Sequence, residues 1–255
     1  MLAAVGNGDV KDLAELMRQD PGFDVNAVMG LEYGNYWCTL LHYACIDSFC
    51  SPVIPLLLAH PDIDVNVKNI YGQTPFYCAC ANGHTSCVRE MLKDSRVKVN
   101  KPKNDGCTPL WAAARYDHLD IIKWWIVSGR EMDLGKPGKW NTDAIGGAKN
   151  YGYAKVVTLL ERFQSDAAQT RHAMRVELGL LDELAAEMFA LVVFVSDGIL
   201  RIKDTTPAAR FFNIAAQLPL ELQMVLCFRL MGSTNEIIPG KKREVAFKEL
   251  ARRPW

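Results

Sequence analysis

The chain has 255 residues, of which 49% are hydrophobic, and 29 Lys+Arg are matched by 29 Asp+Glu. That much apolar side chain fills a sizeable core and excludes a disordered chain. The zero net charge excludes attachment to nucleic acid or acidic membrane through bulk charge. The reading is therefore a protein that binds neither nucleic acid nor membrane.

No basic-then-apolar leader opens the chain, and "MFALVVFVS" (188–196) is too short to span a bilayer. The eight cysteines, at 38, 45, 50, 78, 80, 87, 107 and 227, fall at small core positions. They suit a reducing, cytoplasmic interior better than a disulfide framework, with the nucleus left open.

In chain order, "LAAVGNGDVKDLAELM" (2–17) begins inside a helix, and four lines then answer one another. These are "TLLHYACIDSFC" from Thr39, "TPFYCACANGHT" from Thr74, "TPLWAAARYDHL" from Thr108 and "TDAIGGAKNYGY" from Thr142. Asn26, Asn66 and Asn100 close "FDVN", "DIDVN" and "RVKVN" between them. A period near 34 residues marks a stacked repeat, so internal similarity comes before any other reading. In each unit a threonine and usually a proline turn the chain into a helix rich in Ala and Cys. Gly83 or Asp117 turns it again, into a helix carrying Cys87/Val88/Met91/Leu92, Ile121/Ile122/Trp125/Ile126 or Val156/Val157/Leu160. One unit cannot bury these faces alone, and stacking does so.

"GQTPFYCACANGHTSCVREML" and "GCTPLWAAARYDHLDIIKWWI" resemble the ankyrin repeat, G-x-T-P-L-H-x-A-A-x-x-G-H-x-x-I-V-x-x-L-L, over residues 2–163. The resemblance implies an all-α solenoid of helix pairs with hairpin loops, about five copies with the first truncated. The family's histidine stands at His42 but is replaced by Tyr77, Trp111 and Ile145, which predicts looser turns there. The fifth copy has Asp143 for proline. A degraded sixth copy is readable from Thr170, with Gly179 nine residues on.

The resemblance further implies a non-enzymatic interaction scaffold that needs no cofactor. Its partner-binding tips would be Lys68, Asn69, Tyr71, Lys103, Asn104, Asp105, Lys139 and Trp140. Its first helices would offer Tyr43, Asp47, Asn82, Arg115 and Tyr116. Read from the residues themselves, the hairpin from Asn26 to Thr39 is longer than the others, and its Tyr33, Tyr36 and Trp37 suit a recognition loop; a tolerated insertion is the plain alternative. Trp124 aligns with the charged Glu15 and Glu90 and with the apolar Leu56 and Leu159, so it is either an exposed contact residue or packed on its neighbours or on the C-terminal segment.

Cys78, Cys80, His84 and Cys87 imitate a metal cluster, yet align with small or apolar core positions and lack paired C-x-x-C spacing. No phosphate loop, G-x-S-x-G or H-E-x-x-H occurs. Residues 164–255 read as a helical C-terminal domain: one amphipathic stretch from Thr170, a helix from Pro207, one opened by Leu218-Pro219, and "REVAFKELARR" (243–253). "LPLELQMVLCFRL" resembles the start of an F-box. That resemblance implies a ubiquitin-ligase substrate adaptor, with Leu218, Pro219, Leu222, Val225 and Leu226 docking a Skp1-type adaptor. Ordinary helix grammar accounts for the same residues as a cap on the last repeat.

Overall fold

A computed structural model describes residues 1–20, 22–30, 37–135, 142–197, 207–231 and 240–251. They divide into two compact units, Met1–His172 and Ala173–Trp255. Each is described by itself.

The first unit is a ladder of helix pairs. The pairs are α1 (Leu2–Gly6) with α2 (Val10–Gln19), α3 (Leu40–Ile46) with α4 (Ile54–Leu58), α5 (Pro75–Asn82) with α6 (Thr85–Lys93), α7 (Pro109–Arg115) with α8 (Leu119–Ser128), and α9 (Ala144–Asn150) with α10 (Ala154–Ser165). First helices pack on first helices, α3 on α5, α5 on α7 and α7 on α9, while α6, α8 and α10 form the second row. The all-α, stacked-pair architecture expected from the resemblance is the one observed. Among the described residues, strand is confined to β1 (Met29–Gly30) and β2 (Trp37–Cys38), an antiparallel pair closing the enlarged hairpin.

Capping chemistry sets each start. The Thr39, Thr74 and Thr108 hydroxyls accept the backbone N–H groups of His42, Tyr77 and Trp111 at 3.4, 3.2 and 3.2 Å. Pro75 and Pro109 follow at the first helical position, where no N–H is needed. The fifth copy corrects the sequence alignment by one residue. Its cap is Asp143, whose carboxylate accepts Gly146 N–H at 2.7 Å. Gly146 rather than Ile145 therefore stands at the histidine position.

Thr142, freed from capping, accepts the Trp111 indole N–H at 3.3 Å. That bond does for the fourth and fifth copies what His42 does for the second and third, where its Nε2 lies 3.0 Å from Gln73 O. So the turn at Trp111 keeps its link between copies through a different donor. Burial holds the His42 pKa below its ordinary value, so the bridging ring stays neutral. A Cβ on Gly147 would stand 3.2 Å from Trp111 Nε1, so a small residue there gives the indole its place.

In the second copy, Pro52 and Pro55 break the second helix into a 3-10 turn, Ser48–Val53, followed by the short α4. α5 closes on Gly83 at φ 79°, and α7 places Asp117 at φ 59°. The two core rows meet at Phe76 and Trp125, an edge-to-face pair 5.1 Å apart with both side chains fully buried. All eight cysteines are free and buried.

The recurring asparagines clamp one copy to the next. Asn66 donates to Arg96 O at 2.9 Å and accepts Lys98 N–H at 2.7 Å. Asn26 does the same with Asp62 O and Asp64 N–H, and Asn100 with Glu131 O and Asp133 N–H. Each side chain thus satisfies one donor and one acceptor of the next loop. Asn66→Ala is expected to cost about 1–2 kcal/mol, two hydrogen bonds at modest net worth each. Urea denaturation checks this; an unchanged midpoint would show that water replaces the clamp without loss.

In the second unit, α12 (Leu181–Ser196) packs on α13 (Pro207–Ala215), α14 (Leu220–Leu230) and α15 (Gly240–Ala251). Ala185, Ala186, Phe189, Ala190 and Val192 bury there against Ala215, Cys227 and Ala246. Starting at the end of the first unit, α11 (Ala167–Glu177) revises the degraded sixth copy: Thr170 lies buried inside the helix, and Asp166 accepts Gln169 N–H at 2.8 Å in its stead.

Candidate functional site

Two rows of side chains are available to a partner in the first unit: the hairpin tips and the ends of the first helices. The third-copy tip is built by Asn69. Its Oδ1 accepts the N–H groups of Tyr71 and Gln73, both at 3.0 Å, and its Nδ2 donates to Gln73 Oε1 at 3.0 Å. Asn69 is therefore buried, and its expected role as a contact residue gives way to a structural one. The tight turn in exchange leaves Ile70 and Tyr71 exposed.

The next tip docks onto it. Asn104 reaches Tyr71 O with its backbone N–H and Ile70 O with its side chain, both at 3.2 Å. Lys103 and Asp105 pair at 2.9 Å, and Lys68 donates to Pro102 O at 2.9 Å. These polar tips stay near the surface, but their charges are engaged within the protein. Trp37 is 56% exposed at the mouth of the enlarged hairpin, and Val28, just before β1, is exposed too. Tyr33 and Tyr36 of that hairpin, and Lys139 and Trp140 of the fifth tip, lie outside the described residues. The available tip chemistry is therefore aromatic and apolar, centred on Trp37 and Tyr71.

On the first helices, Tyr43 is half-buried and Asp47 accepts Phe49 N–H at 3.0 Å. Asn82 is exposed and donates to Cys78 O at 2.9 Å. Arg115 and Tyr116 end α7, and Tyr116 is 52% exposed. Sequence reasoning missed two neighbours in this row. Tyr151, 49% exposed, stands in the fifth copy where Tyr116 stands in the fourth, a match hidden by taking Thr142 as the cap. Phe49, 79% exposed, occupies the position at which later copies carry His84 and His118. Those histidines point back to Ile46 O at 2.6 Å and Ala81 O at 3.1 Å, so they brace the stack. Trp124 is half-buried under the Arg89 guanidinium at 3.8 Å, which makes it a brace between copies on the second-helix side.

Burial disfavours the thiolate form of the cysteines. Burial pushes Cys78 and Cys87 up to about 12, and raises Cys45 and Cys80 well above the ordinary thiol value. A thiolate ligand or nucleophile is costly in such a place. Among the described residues no group of His, Cys, Asp and Glu is arranged to hold a metal ion, and no helix is long and apolar enough to cross a membrane.

Just before α14, Leu218 is half-buried and Pro219 is exposed; within it Leu222 is 52% exposed, Val225 is half-buried, and Leu226 packs on the core of its own unit.

Residues 41–135 match the ankyrin-repeat family, three copies. The chain is 30% identical over 177 residues to the SMC5-SMC6 complex localization factor protein 1 of Homo sapiens, covering 66% of this chain and 17% of that protein. The Bos taurus protein of the same name is 31% identical over 148 residues, 55% of this chain and 14% of its own length. Rabankyrin-5 of Homo sapiens is 30% identical over 103 residues, 38% of this chain and 9% of its own. The chain thus spans less than a fifth of these relatives. The helix pairs within residues 41–135 thus match ankyrin repeats, the architecture of a protein-interaction surface.

Proposed function

We propose that this chain is a non-enzymatic scaffold that holds a protein partner on its ankyrin hairpin tips and on the concave face made by its first helices. The observation that supports it is the exposure of Trp37 and Tyr71 on tips whose backbones are fixed by Asn69 and the β1–β2 pair. Rigid loops bearing aromatic side chains bind at low entropic cost. Similarity to a localization factor of the SMC5-SMC6 complex makes that complex, or a protein that travels with it, the first partner to try.

The test is binding of the purified chain to immobilised SMC5-SMC6 complex. Wild type is expected to bind, and Trp37→Ala with Tyr71→Ala to bind at least tenfold more weakly at unchanged melting temperature. Equal binding by the variant removes the tips from the interface. No binding by wild type removes the complex as partner.

A second reading, adaptor binding by the F-box-like segment, is favoured by the exposure of Leu222 together with Leu220. Leu226 serves its own core instead, which leaves a narrower docking face than the resemblance implies. Failure of a Skp1-type protein to co-purify with the chain removes it.

A further inference from the structure

The end of α7 carries an arrangement that the repeat does not require. The Arg115 guanidinium lies 4.5 Å from the Tyr151 ring centroid, 5.3 Å from that of Trp111 and 5.7 Å from that of Tyr116. Tyr153 stacks beside Tyr151 with centroids 6.0 Å apart and planes 14° from parallel. In the other copies the position of Arg115 holds Ile46, Ala81 and Asn150, and that of Tyr116 holds Asp47, Asn82 and Tyr151. The same helix pair therefore closes without an arginine there in every other copy, and without a tyrosine in the second and third.

Resting on the scaffold reading above, we infer that Arg115 is a docking point for one acidic side chain of an extended partner segment, with Tyr116 and Tyr151 flanking it. The charge decides the class of ligand. The negative ring faces already have a cation over them, so a lysine or arginine of a partner meets repulsion instead of an empty aromatic cage. A guanidinium is planar and offers paired donors that match a carboxylate, and rings that hold it still reduce the entropy lost on binding. A single arginine with Asp117 two residues away suits a monoanion better than a doubly charged phosphate. The flanking tyrosines select apolar or aromatic residues beside the acid.

The experiment uses phage-displayed random 12-residue peptides selected on the whole chain, with the enriched peptide then synthesised and its affinity measured by fluorescence anisotropy. Enrichment of Asp or Glu at one position is expected. Replacing that acid with its amide, or Arg115→Gln in the protein, is expected to weaken binding about tenfold. The two changes together are expected to weaken it little further, since they remove the same contact. Arg115→Lys is expected to restore little of the loss. The amide peptide needs no change in the protein, so that arm decides even where a variant folds poorly.

Selection of basic peptides, tighter binding of a phosphoserine version, or no binder at all overturns the inference. Peptides that bind but ignore Arg115→Gln also overturn it, while leaving the scaffold reading intact.

Discussion

Trp125→Ala is expected to lower the stability of the first unit by about 3–5 kcal/mol, the range for deleting a large buried aromatic side chain. Trp125 is fully buried, its ring meets Phe76 edge-on, and its indole N–H donates to Glu131 O at 3.2 Å. The change opens a cavity between the two rows of helices and removes a donor from the loop that Asn100 also clamps. Both rows hold it, so collapse of the site is blocked on either side. Thermal unfolding is the measurement, with an expected drop of roughly 10 °C for a unit of this size. Trp125→Phe keeps the ring and is expected to cost less than half as much. A small effect of the alanine change would mean that the rows repack without it, contrary to the close packing described.

Gly83→Ala is expected to cost about 2–3 kcal/mol, far more than one methyl group suggests. Two penalties add. At φ 79° an L side chain pays about 1–2 kcal/mol. The new Cβ would also stand 2.6 Å from Cε1 of His118 and 2.8 Å from its Nδ1. The ring must shift, and the bond from its Nε2 to Ala81 O is lost, about 1 kcal/mol more. The fourth copy supplies the mirror test. Asp117 holds the same turn at φ 59°, so Asp117→Gly is expected to be neutral or stabilising by about 0.5 kcal/mol. The denaturant midpoint should fall for Gly83→Ala and hold or rise for Asp117→Gly; a fall in both would show that backbone conformation is not what governs these turns.

The repeat period, the caps and the core positions were readable because they follow from local rules. A threonine hydroxyl, a proline at the first helical position and a glycine at positive φ act within a few residues of themselves. The clamps were visible only as recurring letters. That Asn66 grips a loop 30 residues on is a contact across the stack, and periodicity alone does not say what a repeated polar residue bonds to. The fifth copy was misread by one place because Thr142 and Asp143 both look like caps, and only the three-dimensional demand of the Trp111 indole separates them. Asn69 was misassigned for a related reason. An asparagine at a loop tip has the same letter whether it faces solvent or folds back to hold the turn, and here it folds back. The aromatic setting of Arg115 escaped because Tyr151 belongs to the shifted copy.

The asparagine ladder has a last rung. One period beyond Asn100 the chain carries Leu134, which has no amide to offer the following loop. The fourth and fifth copies are thus joined by apolar contact, the Trp111 bond and the Arg115–Tyr151 contact, without the clamp that couples the earlier ones. In a linear array whose cooperativity is the sum of neighbour couplings, the weakest seam is where partial opening starts. The fifth pair can therefore detach as a separate subglobal unit while the second to fourth stay folded, and the tyrosine it contributes beside Arg115 would leave with it.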